Sequence, residues 1–316
     1  MTSKAIAASM FRLWESHKRR NVQFRRRSAL VSQCGDALVF GQYVDPETGE
    51  VQRKLDAANF CRDRLCPLCQ WRKSLVTFSQ LSAIMDRIDE TEPGLVPVFL
   101  TLTMRNVPGE CLADGVSHLL EAWSRLTAKR TNPKLNALMA GWFRALEITY
   151  NAETGEWHPH IHSVVLMPPE YFTDPALYRD HAAWVAEWRK ALRVDYDPSV
   201  DVRTVKNDRA DAVAEVSKYA VKPGEWVSSD ECVTDRNVEL LANVLKGRRL
   251  VAFGGLMMQV RRELKQEDAE TADLVKTDAR EDELRSDLPV MVERYEWQAG
   301  VTNDYVLVSR ERTTEV

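Results

Sequence analysis

Three of the six histidines of this chain stand on alternate positions, in Trp157-His158-Pro159-His160-Ile161-His162. They run directly into the mostly apolar Ser163-Val164-Val165-Leu166. Alternation with a period of two marks a strand and puts the three imidazoles on one face. Neutral imidazole is a common metal ligand. In an extended strand His158 and His162 lie about 13 Å apart, at ~3.3 Å rise per residue. One ion, with ligand bonds of only ~2 Å, cannot hold both without a bend. An adjacent pair can converge on it, either His160 with His162 or His158 with His160. The remaining ligands must come from elsewhere in the chain.

The stretch before the histidines offers one. Residues 142–150 read as a strand, and Glu153-Thr154-Gly155 as the turn that follows. A turn centred on residues 154–155 sets Glu147 opposite His162 and Thr149 opposite His160, so Glu147 shares the imidazole face. Glu147 sits in Leu146-Glu147-Ile148, an otherwise apolar run where a carboxylate needs a partner. The competing reading is a sheet-edge glutamate that reaches solvent. Two imidazoles and a carboxylate leave positions open for phosphate oxygens, a donor set that suits Mg²⁺ or Mn²⁺.

A second constellation lies in Asp211-Ala212-Val213-Ala214-Glu215-Val216-Ser217-Lys218-Tyr219-Ala220-Val221-Lys222-Pro223. Read as a helix, it carries Glu215, Tyr219 and Lys222 at i, i+4 and i+7, one polar stripe. Ala212, Val213, Val216 and Ala220 make a separate apolar stripe that can dock. A tyrosine can be a covalent nucleophile, and attack on a phosphodiester needs charge neutralisation and alignment more than acid–base power. Alone, Tyr219 reads as an ordinary helix tyrosine; the histidine strand gives it a chemistry.

The third is Cys61-Arg62-Asp63-Arg64-Leu65-Cys66-Pro67-Leu68-Cys69. A Cys-x-x-Cys knuckle with a third cysteine five residues ahead suits zinc in a reducing compartment better than disulfides. Cys34 supplies the fourth ligand of a closed tetrahedral site, which leaves no position for substrate and is therefore structural. The alternative is free thiols. Cys111 and Cys232 have no partner pattern.

Periodicity supplies the elements that position these groups. Strand-like Ala37-Leu38-Val39-Phe40 precedes a turn at Asp45-Pro46-Glu47-Thr48-Gly49. Helical stripes cover 71–89, 114–129 and 175–192. Strands are expected at Val98–Met104, 142–150, the histidine segment and Val200–Val205, with a helix at 211–222. That order implies an α+β fold, an antiparallel sheet with helices on one face. Residues 237–247 and 256–266 read as helices, and 249–255 as a loop. The acidic stretch 266–287 lacks periodicity and reads as a mobile linker. Val290–Trp297 and Tyr305–Val308 suggest a final hairpin.

A net charge of -4 hides an asymmetry. Residues 263–287 hold ten acids against four bases, and 288–316 add about two more negative charges, so residues 1–262 are near +4. Residues 1–27 hold eight bases against Glu15 alone. A mildly basic body with an acidic tail is compatible with a polyanionic partner. No apolar run approaches the ~18 residues of a membrane span. The first helix is amphipathic rather than a signal peptide, so the expected compartment is the cytoplasm, with no membrane partner.

With these pieces in order, the chain resembles rolling-circle replication initiators of plasmids, in the HUH endonuclease superfamily, and within it the small Gram-positive plasmid Rep proteins with a single catalytic tyrosine. The matching motifs are Phe99-Leu100-Thr101-Leu102-Thr103, His158-Pro159-His160-Ile161-His162 and Glu215-Val216-Ser217-Lys218-Tyr219-Ala220-Val221-Lys222, with the cysteine knuckle and Arg249-Leu250-Val251-Ala252-Phe253-Gly254-Gly255. The resemblance covers residues 30–262. Charge, periodicity and the resemblance together divide the chain into a basic, Cys-rich zinc-binding N-terminal region (1–92), a nicking and strand-transfer domain (93–262), and an acidic linker with a C-terminal hairpin (263–316). The resemblance also implies the activity. The protein recognises a double-stranded plasmid origin and nicks one strand where the DNA is single-stranded. Tyr219 becomes linked to the 5′ phosphate, and the free 3′ hydroxyl primes a host polymerase with help from a host helicase. In this scheme His160 and His162 hold the catalytic ion, His158 less so, Lys222 positions the phosphate, and Glu215 activates a water that ends the cycle. A relaxase or transposase of the same superfamily shares the chemistry. A zinc-dependent DNA-binding regulator needs no Glu215/Tyr219/Lys222 stripe, and a small-molecule metallohydrolase is the third alternative.

Overall fold

The computed structural model describes residues 2–17, 22–45, 48–204, 213, 216–217, 223–268, 270–275, 277 and 289–313. In chain order the elements begin with helices α1 (Thr2–Ser16) and α2 (Val22–Ser32) and strands β1 (Ala37–Val44) and β2 (Val51–Ala58). Next come α3 (Pro67–Thr91), β3 (Val96–Thr103), α4 (Leu112–Thr127), α5 (Pro133–Leu138), β4 (Gly141–Asn151) and β5 (Glu156–Met167). Then follow α6 (Glu170–Thr173), α7 (His181–Leu192), β6 (Val200–Thr204), helices Pro223–Trp226 and Glu231–Val244, β7 (Val251–Gly254) and helix Gly255–Glu263. Strands β8 (Met291–Trp297) and β9 (Tyr305–Arg312) end the series. The fold is α+β, with two antiparallel sheets, and the chain forms two compact units.

One unit comprises residues 80–228 and 239–267. Its sheet has the order β6-β3-β5-β4-β7, every pair antiparallel. Strand alternation gives this sheet two unlike faces. Leu100, Leu102, Leu146, Ile148, Ile161 and Val165 are all buried on one face. There α4 packs on β5 and α7 on β6. Helix α4 contributes Leu112, Val116, Leu119, Trp123 and Leu126, each at most 2% exposed, which is the stripe its 3.6-residue period requires. Each such side chain stabilises the fold by about 1.5–3 kcal/mol. Trp188 of α7 donates from Nε1 to the Thr103 carbonyl at 2.7 Å, fixing the end of β3. Phe99, Thr101 and Thr103 share the opposite face with the histidines.

Three expectations need correction here. The helix expected at 175–192 begins at His181, because Asp180 caps it by accepting from the Ala183 N–H at 2.7 Å and satisfies a donor no helical carbonyl can reach. Residues 251–254 form a strand, not a loop, with Phe143 opposite Phe253. Glycines obscured it in the sequence: Gly255 ends the strand at φ +56, and a Cβ there would strike the Ala140 carbonyl. The hairpin register also differs. Glu147 faces His160, and Thr149 faces His158. Asn151 Oδ1 accepts from the Glu153 and Thr154 N–H groups, and Gly155 takes φ +71, so the turn centres one residue earlier than expected. A two-residue slip leaves every side chain on its own face, so Glu147 keeps its side.

The other unit comprises residues 1–79, 229–238 and 268–316. Helices α1 and α2 pack against each other, and the sheet has the order β2-β1-β8-β9. The C-terminal hairpin therefore completes the N-terminal one, with Leu38 opposite Tyr295 and Phe40 opposite Glu293. Part of the stretch read as a mobile linker packs instead. Arg72 donates to the Leu274 and Val275 carbonyls at 2.7 and 2.8 Å, Lys73 pairs with Glu270, and Leu274 is buried. This anchoring uses backbone carbonyls, which leave no periodic trace in the sequence. No helix among the described residues is long and apolar enough to cross a membrane.

Candidate active site and metal centres

Glu147, His160 and His162 converge on the open face of the five-stranded sheet, with one donor atom from each within 4.8 Å of the others. Glu147 Oε2 lies 2.9 Å from His162 Nε2 and 3.4 Å from His160 Nε2. The carboxylate is 4% exposed and the two imidazoles 8% each, so this is a desolvated carboxylate held against two rings rather than a solvated sheet edge.

The other ring nitrogens fix the imidazoles. His160 Nδ1 lies 3.1 Å from the His158 carbonyl, which can only accept, so Nδ1 carries the proton. The Nε2 lone pair of neutral His160 is then directed at a carboxylate oxygen. His162 Nδ1 lies 3.1 Å from Thr101 Oγ1, so the same tautomer is available to it. With a proton on Nε2, His162 donates to Glu147 at 2.9 Å; with both protons on Nδ1, two ring lone pairs and a carboxylate oxygen face one small volume. The donor set therefore fits a divalent ion, with the orienting outer contacts that ligating histidines require.

His158 stays outside this group. Its Nδ1 is held 2.8 Å from Asn106 Oδ1, and its ring centre is 5.1 Å from that of His160. Burial, aided by the nearby His160, pushes its pKa below the usual histidine value, against the opposing effect of Glu147. Of the two adjacent pairs considered, the structure gathers His160 with His162. Asn106, in the loop after β3, escaped the sequence reading because nothing local marks it. Thr101 was legible only as a residue on the imidazole face.

Glu215, Tyr219 and Lys222 lie outside the described residues. Within their segment, Val213 and Val216 are buried, and the Ser217 N–H donates to the Val213 carbonyl at 3.0 Å, one helical turn.

In the other unit Cys34, Cys61, Cys66 and Cys69 form a second cluster, their sulfurs all within 4.8 Å of one another. The Cys34–Cys69 and Cys61–Cys69 sulfur separations are 3.4 and 3.6 Å. A disulfide needs ~2.0 Å. Four sulfurs around one ion at bonds of ~2.3 Å lie roughly 3.8 Å apart, so the cluster fits zinc. Backbone N–H groups of Cys61, Arg62 and Asp63 point at sulfurs of Cys34, Cys69 and Cys61, at 3.3, 3.2 and 3.5 Å. Such donors stabilise thiolates. Hydrogen bonds from the thiols of Cys61, Cys66 and Cys69 hold the Cys34 pKa far below the ordinary thiol range. Arg27 grips the knuckle loop through two bonds to Asp63, at 2.6 and 3.0 Å. Cys111 and Cys232 are exposed and stand apart.

The family described as Replication protein matches residues 52–306. Protein rep of Bacillus amyloliquefaciens is 35% identical over 304 residues, covering 90% of this chain and 86% of that protein. Protein rep of Streptococcus pneumoniae serotype 2 is 34% identical, covering 87% of this chain and 83% of its own length. Protein rep of Lactiplantibacillus plantarum is 35% identical, covering 84% and 86%. No solved structure matches. The matched residues take in the whole five-stranded sheet and its three converging donors, and the chain belongs to the family of replication proteins, the plasmid initiators that its motifs resemble.

Proposed function

We propose that the protein starts rolling-circle replication of a plasmid by nicking one strand of its origin. The observation that carries this reading is the convergence of Glu147, His160 and His162 on one sheet face, in a replication protein whose sequence also holds Glu215, Tyr219 and Lys222 at helical spacing. Glu147, His160 and His162 would hold a divalent ion, Mg²⁺ or Mn²⁺, which when bound supplies positive charge to the scissile phosphate.

The Tyr219 phenolic oxygen attacks phosphorus. The phenol gives up its proton to solvent, the new Oη–P bond forms as the P–O3′ bond breaks, and the departing 3′ oxygen takes up a proton, so none is gained or lost overall. The products are a 5′-phosphotyrosine and a free 3′ hydroxyl, the primer for a host polymerase with a host helicase ahead of it. Lys222 holds the phosphate by charge. The linkage is about as energetic as the phosphodiester it replaced, so the new 3′ hydroxyl can reverse the step. Glu215, one helical turn before Tyr219, activates a water that makes the last step one-way. The cysteine cluster binds a structural zinc.

The test is to incubate the pure protein with a supercoiled plasmid carrying its origin, with Mg²⁺ or Mn²⁺. The expected product is a nicked circle with protein on the 5′ end of the break. DNA that is bound but left intact under both ions would leave a regulator without catalysis.

A further inference from the structure

We infer that α2 is the element that reads double-stranded DNA, lying in the major groove. The inference rests on the reading that the substrate is a duplex origin. It gives a role to the basic N-terminus, which belongs to a different compact unit from Glu147, His160 and His162.

The argument starts from how α2 is held. Phe24, Ser28 and Val31 are buried, and the Ser28 hydroxyl donates to the Ala7 carbonyl of α1 at 2.7 Å. Arg27, on the same side, is clamped to Asp63. Helix α1 is pinned in turn, with Arg12 donating to Asp235 at 2.7–3.2 Å and to Glu231 at 3.0 Å. The inner face of α2 is thereby fixed, and its outer face is presented without further ordering cost.

That outer face has a specific composition. At 100° per residue, Val22, Gln23, Arg26, Ala29 and Leu30 fall within an arc of about 120°. All five are exposed, Val22 by 67% and Leu30 by 45%. Arginine and glutamine are the side chains that make paired hydrogen bonds to guanine and adenine edges, and small apolar side chains meet the thymine methyl. Arg25 flanks the arc, its guanidinium 5.1 Å from the Trp14 ring centre, where a phosphate can be met. Its 11 residues span about 16 Å, and a major groove roughly 12 Å wide admits such a helix.

Charge points to the same partner. Helix α2 has three consecutive arginines and no acid, and residues 1–32 hold eight bases against one acid. Arg27 is already paired with Asp63, which leaves Arg25 and Arg26 to neutralise phosphates and release their counterions.

The experiment selects duplexes from a random pool with the full-length protein, without added Mg²⁺ or Mn²⁺. It then compares binding of the enriched duplex with that of a shuffled duplex of equal length. The wild type should prefer the enriched duplex. Arg26→Ala and Gln23→Ala should each cut that preference roughly 5- to 100-fold. Arg25→Ala should weaken both duplexes alike and flatten the salt dependence. Circular dichroism and zinc content identical to wild type establish that the variants are folded. A pool that yields no enriched duplex, or folded Arg26→Ala and Gln23→Ala proteins that keep full preference, overturns the assignment. Because no cleavage is measured, the outcome is independent of whether the protein nicks DNA.

Discussion

The two clusters are opposites in design. Four cysteines close one around its centre: they offer four sulfur donors from two chain segments, backed by backbone N–H groups. Glu147, His160 and His162 offer three donors on the face of a sheet, which would leave positions on a bound ion for other ligands. Only the open one can admit a phosphate oxygen. A closed sulfur site acts on folding, and an open nitrogen–oxygen site acts on a substrate.

The contrast makes predictions that differ in readout and in size. His162→Ala or His160→Ala should cost about a thousandfold or more in metal-dependent cleavage of a single-stranded origin oligonucleotide. Thermal stability should fall only modestly and the circular dichroism should stay that of a folded protein, because the apolar core lies on the other face of the sheet, although each ring is itself buried against Glu147. If either variant cleaves within tenfold of wild type, the ion is not held there.

Cys66→Ser should reverse that pattern. The protein should lose its zinc, read by elemental analysis after purification without added metal, and the region around the knuckle should loosen by several kcal/mol. Wild-type protein should keep one zinc per chain through dialysis that strips Mg²⁺ or Mn²⁺. Wild-type protein without zinc, with four thiols titrating in the native state, would remove the distinction.

Outer contacts come next. Thr101→Val deletes the hydroxyl beside His162 Nδ1 and keeps the shape, so cleavage should fall about 10- to 100-fold, the usual loss for an orienting partner. His158→Ala should cost less than about tenfold, because the group that orients His160 is the His158 carbonyl, which alanine keeps. A folded His158→Ala protein as inactive as His162→Ala would mean that His158 is a ligand.

What the sequence made legible follows from periodicity. Val98–Thr103 and the histidine strand alternate cleanly, and α4 repeats its apolar residues every three to four positions, so these elements and the shared face of Glu147 and the imidazoles could be read directly. The hairpin register could not, because it depends on Asn151 bonding its own turn. Strand β7 was hidden by its last residue, Gly254, by Gly255 directly after it, and by its four-residue length. The pairing of β1 with β8 joins residues some 250 positions apart, and no local pattern announces it. Asn106, which holds His158, is a loop residue whose role exists only in three dimensions.

The central claim is that a tyrosine of this chain takes the DNA strand onto itself. The direct measurement is covalent capture. A single-stranded origin oligonucleotide labelled on its 3′ side is incubated with the protein and Mn²⁺, the adduct is digested, and the modified peptide is located by mass spectrometry. The account predicts a phosphonucleotide on Tyr219 in the wild type and no adduct with Tyr219→Phe, which still binds the oligonucleotide. An adduct that persists in Tyr219→Phe, or one that maps to another residue, would contradict it.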